Sequence, residues 1–219
     1  MQCRQLKASS VAEVIALVDY GAGNLHSVHN ALKAAGATGV KVTADPAVVR
    51  AADRIVLPGV GSFGACAQGL RAIEGMVEAL EERVRGGGVP FLGICVGMQL
   101  LATRGLEHGV TEGLGWIAGE VRKIEVTDPK IKVPHMGWND VALSLHNRDS
   151  TLLKEGEAYF LHSYHFACDE AHDIAAMTDH GGGLVAAVAR DNIVGVQFHP
   201  EKSQAYGLAL LGRFLEWRP

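Results

Sequence analysis

Cys95 stands in Gly93-Ile94-Cys95-Val96-Gly97, and His199 and Glu201 stand in Gln197-Phe198-His199-Pro200-Glu201. These are the residue types of acyl transfer: a thiol that attacks, an imidazole that moves protons, and a carboxylate that orients the imidazole. The G-x-C-x-G spacing is the cysteine form of a sharp strand-to-helix turn with the nucleophile at its tip. Such a turn strains the backbone at Cys95 and leaves no room two residues to either side, hence Gly93 and Gly97. It sets the sulfur at a helix N-terminus, where the dipole and free N–H groups favour thiolate. The Val96 N–H is then free to face a developing oxyanion. The bland alternative is a buried structural thiol. Pro200 biases His199 towards extended geometry, in which i and i+2 share a side, so Glu201 falls beside the ring. With ten histidines in the chain, it is the pairing with an elbow roughly a hundred residues upstream that singles out His199.

A parallel sheet would position these groups. Residues 14–18 (VIALV), 54–57 (RIVL) and 89–94 (VPFLGI) are short apolar runs, as in strands buried on both faces. Helical patterns lie between and after them, at 25–35, 62–69 with 73–85, and 98–103. This β-α-β-α-β alternation implies right-handed crossovers, with ligands beyond the C-terminal strand ends. Glycine is abundant, 27 in 219 residues against about 7% in an average chain, and glycine clusters follow all three runs. In the second half, residues 120–126 and 132–133 read as a hairpin-rich insertion. Residues 159–164, 184–190 and 193–198 read as strands, with Asp191-Asn192 as a tight turn. Residues 205–217 read as a closing helix with Leu208, Leu211 and Leu215 on one face. The expectation is one α/β domain over residues 14–219 whose sheet changes from parallel to antiparallel, preceded by an N-terminal extension at 1–13.

The net charge of −4, without a basic stripe, argues against nucleic-acid binding. No apolar run is long enough for a membrane helix. Cys3, Cys66, Cys95 and Cys168 are scattered, without metal-site spacing, and imply reduced thiols in a reducing, cytoplasmic compartment. Residues 1–12 carry Arg4 and Lys7 but no apolar core of a secretory signal.

G-I-C-V-G-M-Q (93–99) together with Q-F-H-P-E-K-S (197–203) resembles the class I, or triad, glutamine amidotransferases. D-Y-G-A-G-N (19–24), P-G-V-G-S-F (58–63), P-H-M-G-W-N (134–139) and Y-F-L-H-S-Y (159–164) follow in the order of the branch that serves imidazole glycerol phosphate synthase in histidine biosynthesis. The resemblance implies a three-layer, Rossmann-like (flavodoxin-like) domain with a mixed central sheet. It implies a glutaminase that feeds ammonia to a (β/α)8-barrel synthase subunit, with no metal or organic cofactor. Carried over by motif, Cys95 is the nucleophile, His199 the acid/base and Glu201 its partner. Val60, Gly61 and Val96 form the oxyanion hole, with a peptide turn needed at Val60. Gly59, Gln99, Glu107, His162, Ser163 and Tyr164 hold glutamine. Asn24, Trp138, Tyr159 and Lys202 face the partner, although Trp138 beside Gly137 could equally be core, and Gln99 and Glu107 could be ordinary surface groups. Cys66 and His165 depart from the family pattern, as do the extra residues before Val14. Two other classes stay open: a glutaminase or γ-glutamyl hydrolase that acts alone or on another synthase, and a non-catalytic binding protein on the same fold.

Overall fold

The computed structural model of the chain describes residues 13–146 and 151–219. Almost all of the expected N-terminal extension, Cys3 included, lies outside the described residues. The chain runs β1 (Ile15–Val18), α1 (Leu25–Ala34), β2 (Val40–Thr43), α2 (Pro46–Arg50), β3 (Arg54–Gly59), α3 (Phe63–Ala72) and α4 (Met76–Leu80). It continues through β4 (Phe91–Cys95), α5 (Val96–Gln99), β5 (Arg104–Gly105), β6 (Thr111–Glu112), β7 (Gly119–Lys123) and β8 (His135–Leu143). It ends with β9 (Gly156–His162), β10 (Tyr164–Cys168), β11 (Ile174–Asp179), β12 (Gly183–Arg190), β13 (Ile193–Val196) and α6 (Gln204–Glu216).

Nine strands form one sheet in the order β2-β1-β3-β4-β13-β12-β11-β8-β9. The pairings from β2 through β13 are parallel, and those from β13 to β9 are antiparallel. Every residue of β1, β3, β4 and β13 is buried, which is why their sequences are apolar throughout apart from Arg54 at the start of β3. Helices α1 and α6 pack together, and α2, α3 and α4 make a second group. Each early helix starts on a side-chain cap: Asn24 accepts from Ser27, Asp45 from Ala47 and Ser62 from Ala65. No helix among the described residues is long and apolar enough to cross a membrane.

Several expectations change. The 98–103 helix is instead α5, which starts earlier and stops at Gln99. The carbonyls of Leu100, Leu101 and Ala102 bond to N–H groups of residues 114–117, so they cannot extend the ladder. The 73–85 helix begins only after Gly75, whose φ of 78° breaks the path, and it ends in a π-helical turn at Glu81–Gly86. Residues 132–133 are not a strand; pairing starts at His135, after Pro134. The 159–164 strand divides at Ser163. β9 stays in the large sheet while β10 joins a second sheet, ordered β10-β7-β5-β6. The mixed central sheet stands, while the 120–126 segment, read as part of a hairpin-rich insertion, supplies β7 to this small sheet, between β10 and β5. Elements β2, α2, β5, β6, β8 and β11 arise where the sequence reading placed none.

Candidate active site

Cys95 is the last residue of β4 and adopts φ 55°, ψ −113°. That is costly for a residue with a Cβ, and it is tolerated because its neighbours are stripped. A Cβ on Gly97 would sit 1.9 Å from the Leu57 carbonyl oxygen, and one on Gly93 would sit 2.7 Å from the Gly97 oxygen. Both obstacles are backbone and cannot swing aside. Gly97→Ala is therefore expected to lose about 3 kcal/mol or more of stability in denaturant unfolding; a midpoint equal to the parent's would contradict this close packing.

β13 lies beside β4 in parallel register, with Val196 against Ile94. The chain leaving β13 thus delivers His199 to the edge where Cys95 ends. The two line the same cavity and interact electrostatically, and both are buried. His199 Nδ1 donates to Glu201 Oε1 at 2.9 Å, which leaves Nε2 to face the thiol. Burial alone would lower the imidazole, but its bonds to Cys95 and Glu201 outweigh that and push it up to about 9. One detail differs from the sequence expectation. Pro200–Lys202 is a 3₁₀ turn, so Glu201 reaches the ring by the chain curling back, while only His199 itself is extended.

A cavity of about 360 Å³ opens over the sulfur, within the size range of small-ligand pockets. Val60, Gly61, Cys95, Val96, Gln99, Glu107, His162, Ser163, Tyr164, His199 and Lys202 line it, together with Pro134 and Leu161. Gly59 does not; it lies underneath, where a Cβ would meet the Gly97 nitrogen, the Tyr20 hydroxyl and Val96 Cβ at 2.7, 2.8 and 2.9 Å. Glu201 stands behind His199. Glu107 Oε2 accepts the Phe63 N–H at 2.7 Å, so it caps α3 as well as lining the cavity. The carbonyls of Ser163 and Tyr164 are already engaged. The first accepts from Ile124, and the second from both Gln99 Nε2 and His162 Nδ1. His162 is held well below the usual imidazole range, at about 3, chiefly by burial, and is neutral.

Gln197 escaped notice as a separate site residue. Its Nε2 donates to Cys95 Sγ at 3.7 Å, and its Oε1 accepts from Gln99 at 3.0 Å. The signal was available: Gln197 and His199 are i and i+2 on an extended run and share a side.

Around the mouth, Trp138 pairs across the strands with Tyr159, ring to ring at 6.1 Å. The Lys202 ammonium stands 5.8 Å from the Tyr159 ring. Trp138 is 47% exposed, so it is a surface residue and the core alternative is set aside. Met136 and Val60 are exposed as well. Asn24 is part-buried, with its side chain spent on capping α1.

The model of the glutamine amidotransferase class-I family matches residues 16–216. The HisH subunit of imidazole glycerol phosphate synthase from Zymomonas mobilis is 57% identical over 213 residues, covering 96% of this chain and 99% of that one. The HisH subunit from Caulobacter vibrioides is 52% identical, covering 94% and 100%. A solved glutamine amidotransferase structure superposes with a TM-score of 0.71 at 19% identity, over 93% of this chain and 97% of that one, a likeness of fold. The chain belongs to the class-I glutamine amidotransferases and, among them, to the family of the HisH subunits of imidazole glycerol phosphate synthase.

Proposed function

We propose that residues 14–219 act as one glutaminase domain, with Cys95 as nucleophile, that passes ammonia to a (β/α)8-barrel synthase subunit. The observation that carries this reading is that Cys95 and His199 line one cavity with Gln99, Val60 and Val96, while Glu201 holds the far side of the His199 ring at 2.9 Å. The Cys95 thiolate attacks the side-chain amide carbon of glutamine. N–H groups of Val96 and of the Pro58–Gly61 segment receive the oxyanion. His199, protonated, gives its proton to the departing nitrogen, and ammonia leaves. Water, deprotonated by the same imidazole, then hydrolyses the γ-glutamyl thioester to glutamate. In the partner, the ammonia enters synthesis of imidazole glycerol phosphate and an aminoimidazole carboxamide ribonucleotide. Cys66, Cys95 and Cys168 are free thiols among the described residues, in keeping with the cytoplasmic setting expected from the sequence.

Trp138, Tyr159 and Lys202 form the docking edge in this reading. Exposed aromatic and cationic groups are the types that concentrate binding energy at interfaces. Trp138→Ala is expected to leave the melting temperature within about 2 °C, since it vacates no core. Association with the barrel subunit is expected to weaken about thirtyfold. Titration of the labelled barrel subunit against parent and variant measures this, and unchanged affinity would remove Trp138 from the interface. The functional reading as a whole is tested by co-purifying the chain with the barrel subunit and assaying glutamine-dependent turnover; a chain that neither binds it nor hydrolyses glutamine in its presence would overturn the reading.

A further inference from the structure

Two features have no part in the chemistry above: the tyrosine of the 19–24 motif, and Cys66, where the family pattern is broken. Both reach the same strand end. Tyr20 follows β1, and its hydroxyl donates to the Pro58 carbonyl at 2.6 Å. Cys66 lies in α3, and its thiol donates to the Val60 carbonyl at 3.4 Å. Both side chains are buried and interact with each other. Two donors from separate elements therefore hold alternate carbonyls of one short segment, on either side of Gly59.

The consequence follows from peptide geometry. In a planar trans peptide the C=O and N–H groups point in opposite directions. Holding the Pro58 carbonyl fixes the Gly59 N–H, and holding the Val60 carbonyl fixes the Gly61 N–H. Gly61, at φ 106° with nothing near its missing Cβ, has no steric restraint of its own. Without the thiol its N–H direction would be poorly determined, although Val60 and Gly61 line the Cys95 cavity. The peptide between the two held carbonyls, Gly59–Val60, is pinned at both ends.

We propose that Tyr20 and Cys66 form a two-point clamp that positions the Pro58–Gly61 segment, directing its N–H groups for the oxyanion formed on attack by Cys95. This rests on the reading of that segment as part of the oxyanion hole. Neither residue touches substrate; both are positioning residues. Both donors keep their protons at neutral pH. Burial, reinforced by Cys95 and Glu107, pushes the Cys66 thiol up to about 11 against the opposing bond from Tyr20, and burial raises the Tyr20 phenol further above its ordinary value.

The test compares Tyr20→Phe, Cys66→Ala and Cys66→Ser, each assembled with the barrel subunit, with Cys95→Ala as control. Glutamine hydrolysis is followed for kcat and KM, and thermal melting is recorded for each. A misplacement on the order of 1 Å costs about a hundredfold, so Tyr20→Phe and Cys66→Ala should lower kcat between about tenfold and a hundredfold, with KM within about twofold. Cys66→Ser, which keeps a donor, should recover most of the loss. Tyr20→Phe combined with Cys66→Ala should be little worse than the poorer single variant, because both hold one segment. Parental kcat in Tyr20→Phe and Cys66→Ala, or equal losses in Cys66→Ser and Cys66→Ala, would overturn the clamp while leaving the glutaminase reading intact. A parent chain that fails to hydrolyse glutamine, or a Cys95→Ala chain that succeeds, would overturn that reading instead. Should Cys66→Ala melt below the assay temperature, Tyr20→Phe, which removes a single oxygen, decides alone.

Discussion

Replacing Cys95 by Ala is expected to abolish glutamine-dependent turnover, a fall of roughly 10⁴-fold or more, while synthesis from added ammonium salts by the assembled complex survives. The cavity loses its thiol, and His199 cannot stand in for it, because its Nδ1 is committed to Glu201. Cys95→Ser is expected to fail almost as badly. A hydroxyl is far less acidic than a thiol, and the rise of the imidazole depends first on Cys95 itself, so the variant faces its serine with a weaker base. The measurement is a paired assay on one preparation, with glutamine and with ammonium chloride as alternative nitrogen sources. Loss of both activities would place Cys95 in the fold or the interface. Retention of the glutamine-dependent one would remove it as nucleophile.

The isolated chain is expected to hydrolyse glutamine slowly, and the barrel subunit with its nucleotide ligand to raise the rate by roughly a hundred- to a thousandfold, the worth of one oxyanion-hole donor. The exposed position of Val60, at 43%, puts the segment that must supply this donor at the surface a partner would cover. Two of its carbonyls are tied inward to Tyr20 and Cys66, which limits adjustment to the peptide between them. Steady-state glutaminase assays with and without the partner check this. Equal rates in the two would mean that the site is complete in the subunit alone and that docking plays no part in chemistry.

Much of the site was legible in the sequence because it depends on local geometry. Gly93 and Gly97 announce a turn at Cys95 since only glycine clears the backbone oxygens there, and Pro200 announces the extended His199. The buried parallel strands are equally plain, because strands covered on both faces need apolar residues at every position. Strands β2, β8 and β11 stayed hidden for the converse reason. The first is a half-exposed edge, the second alternates without a strong apolar face, and the third is rich in alanine, so none carries a strong pattern of its own.

What the sequence by itself determined was the set of reacting groups, the turn that presents Cys95, and the sheet edge where the segments end. Only the tertiary structure decided the rest. It stopped α5 at Gln99 by giving the next carbonyls to a distant loop, and it split the 159–164 strand between two sheets. It turned Trp138 outward beside Tyr159 and Lys202, and it brought Tyr20, Cys66 and Gln197 around the reacting centre. These outcomes depend on groups that the fold brings together from separate elements, and local propensity carries no record of which donor will reach a given carbonyl first.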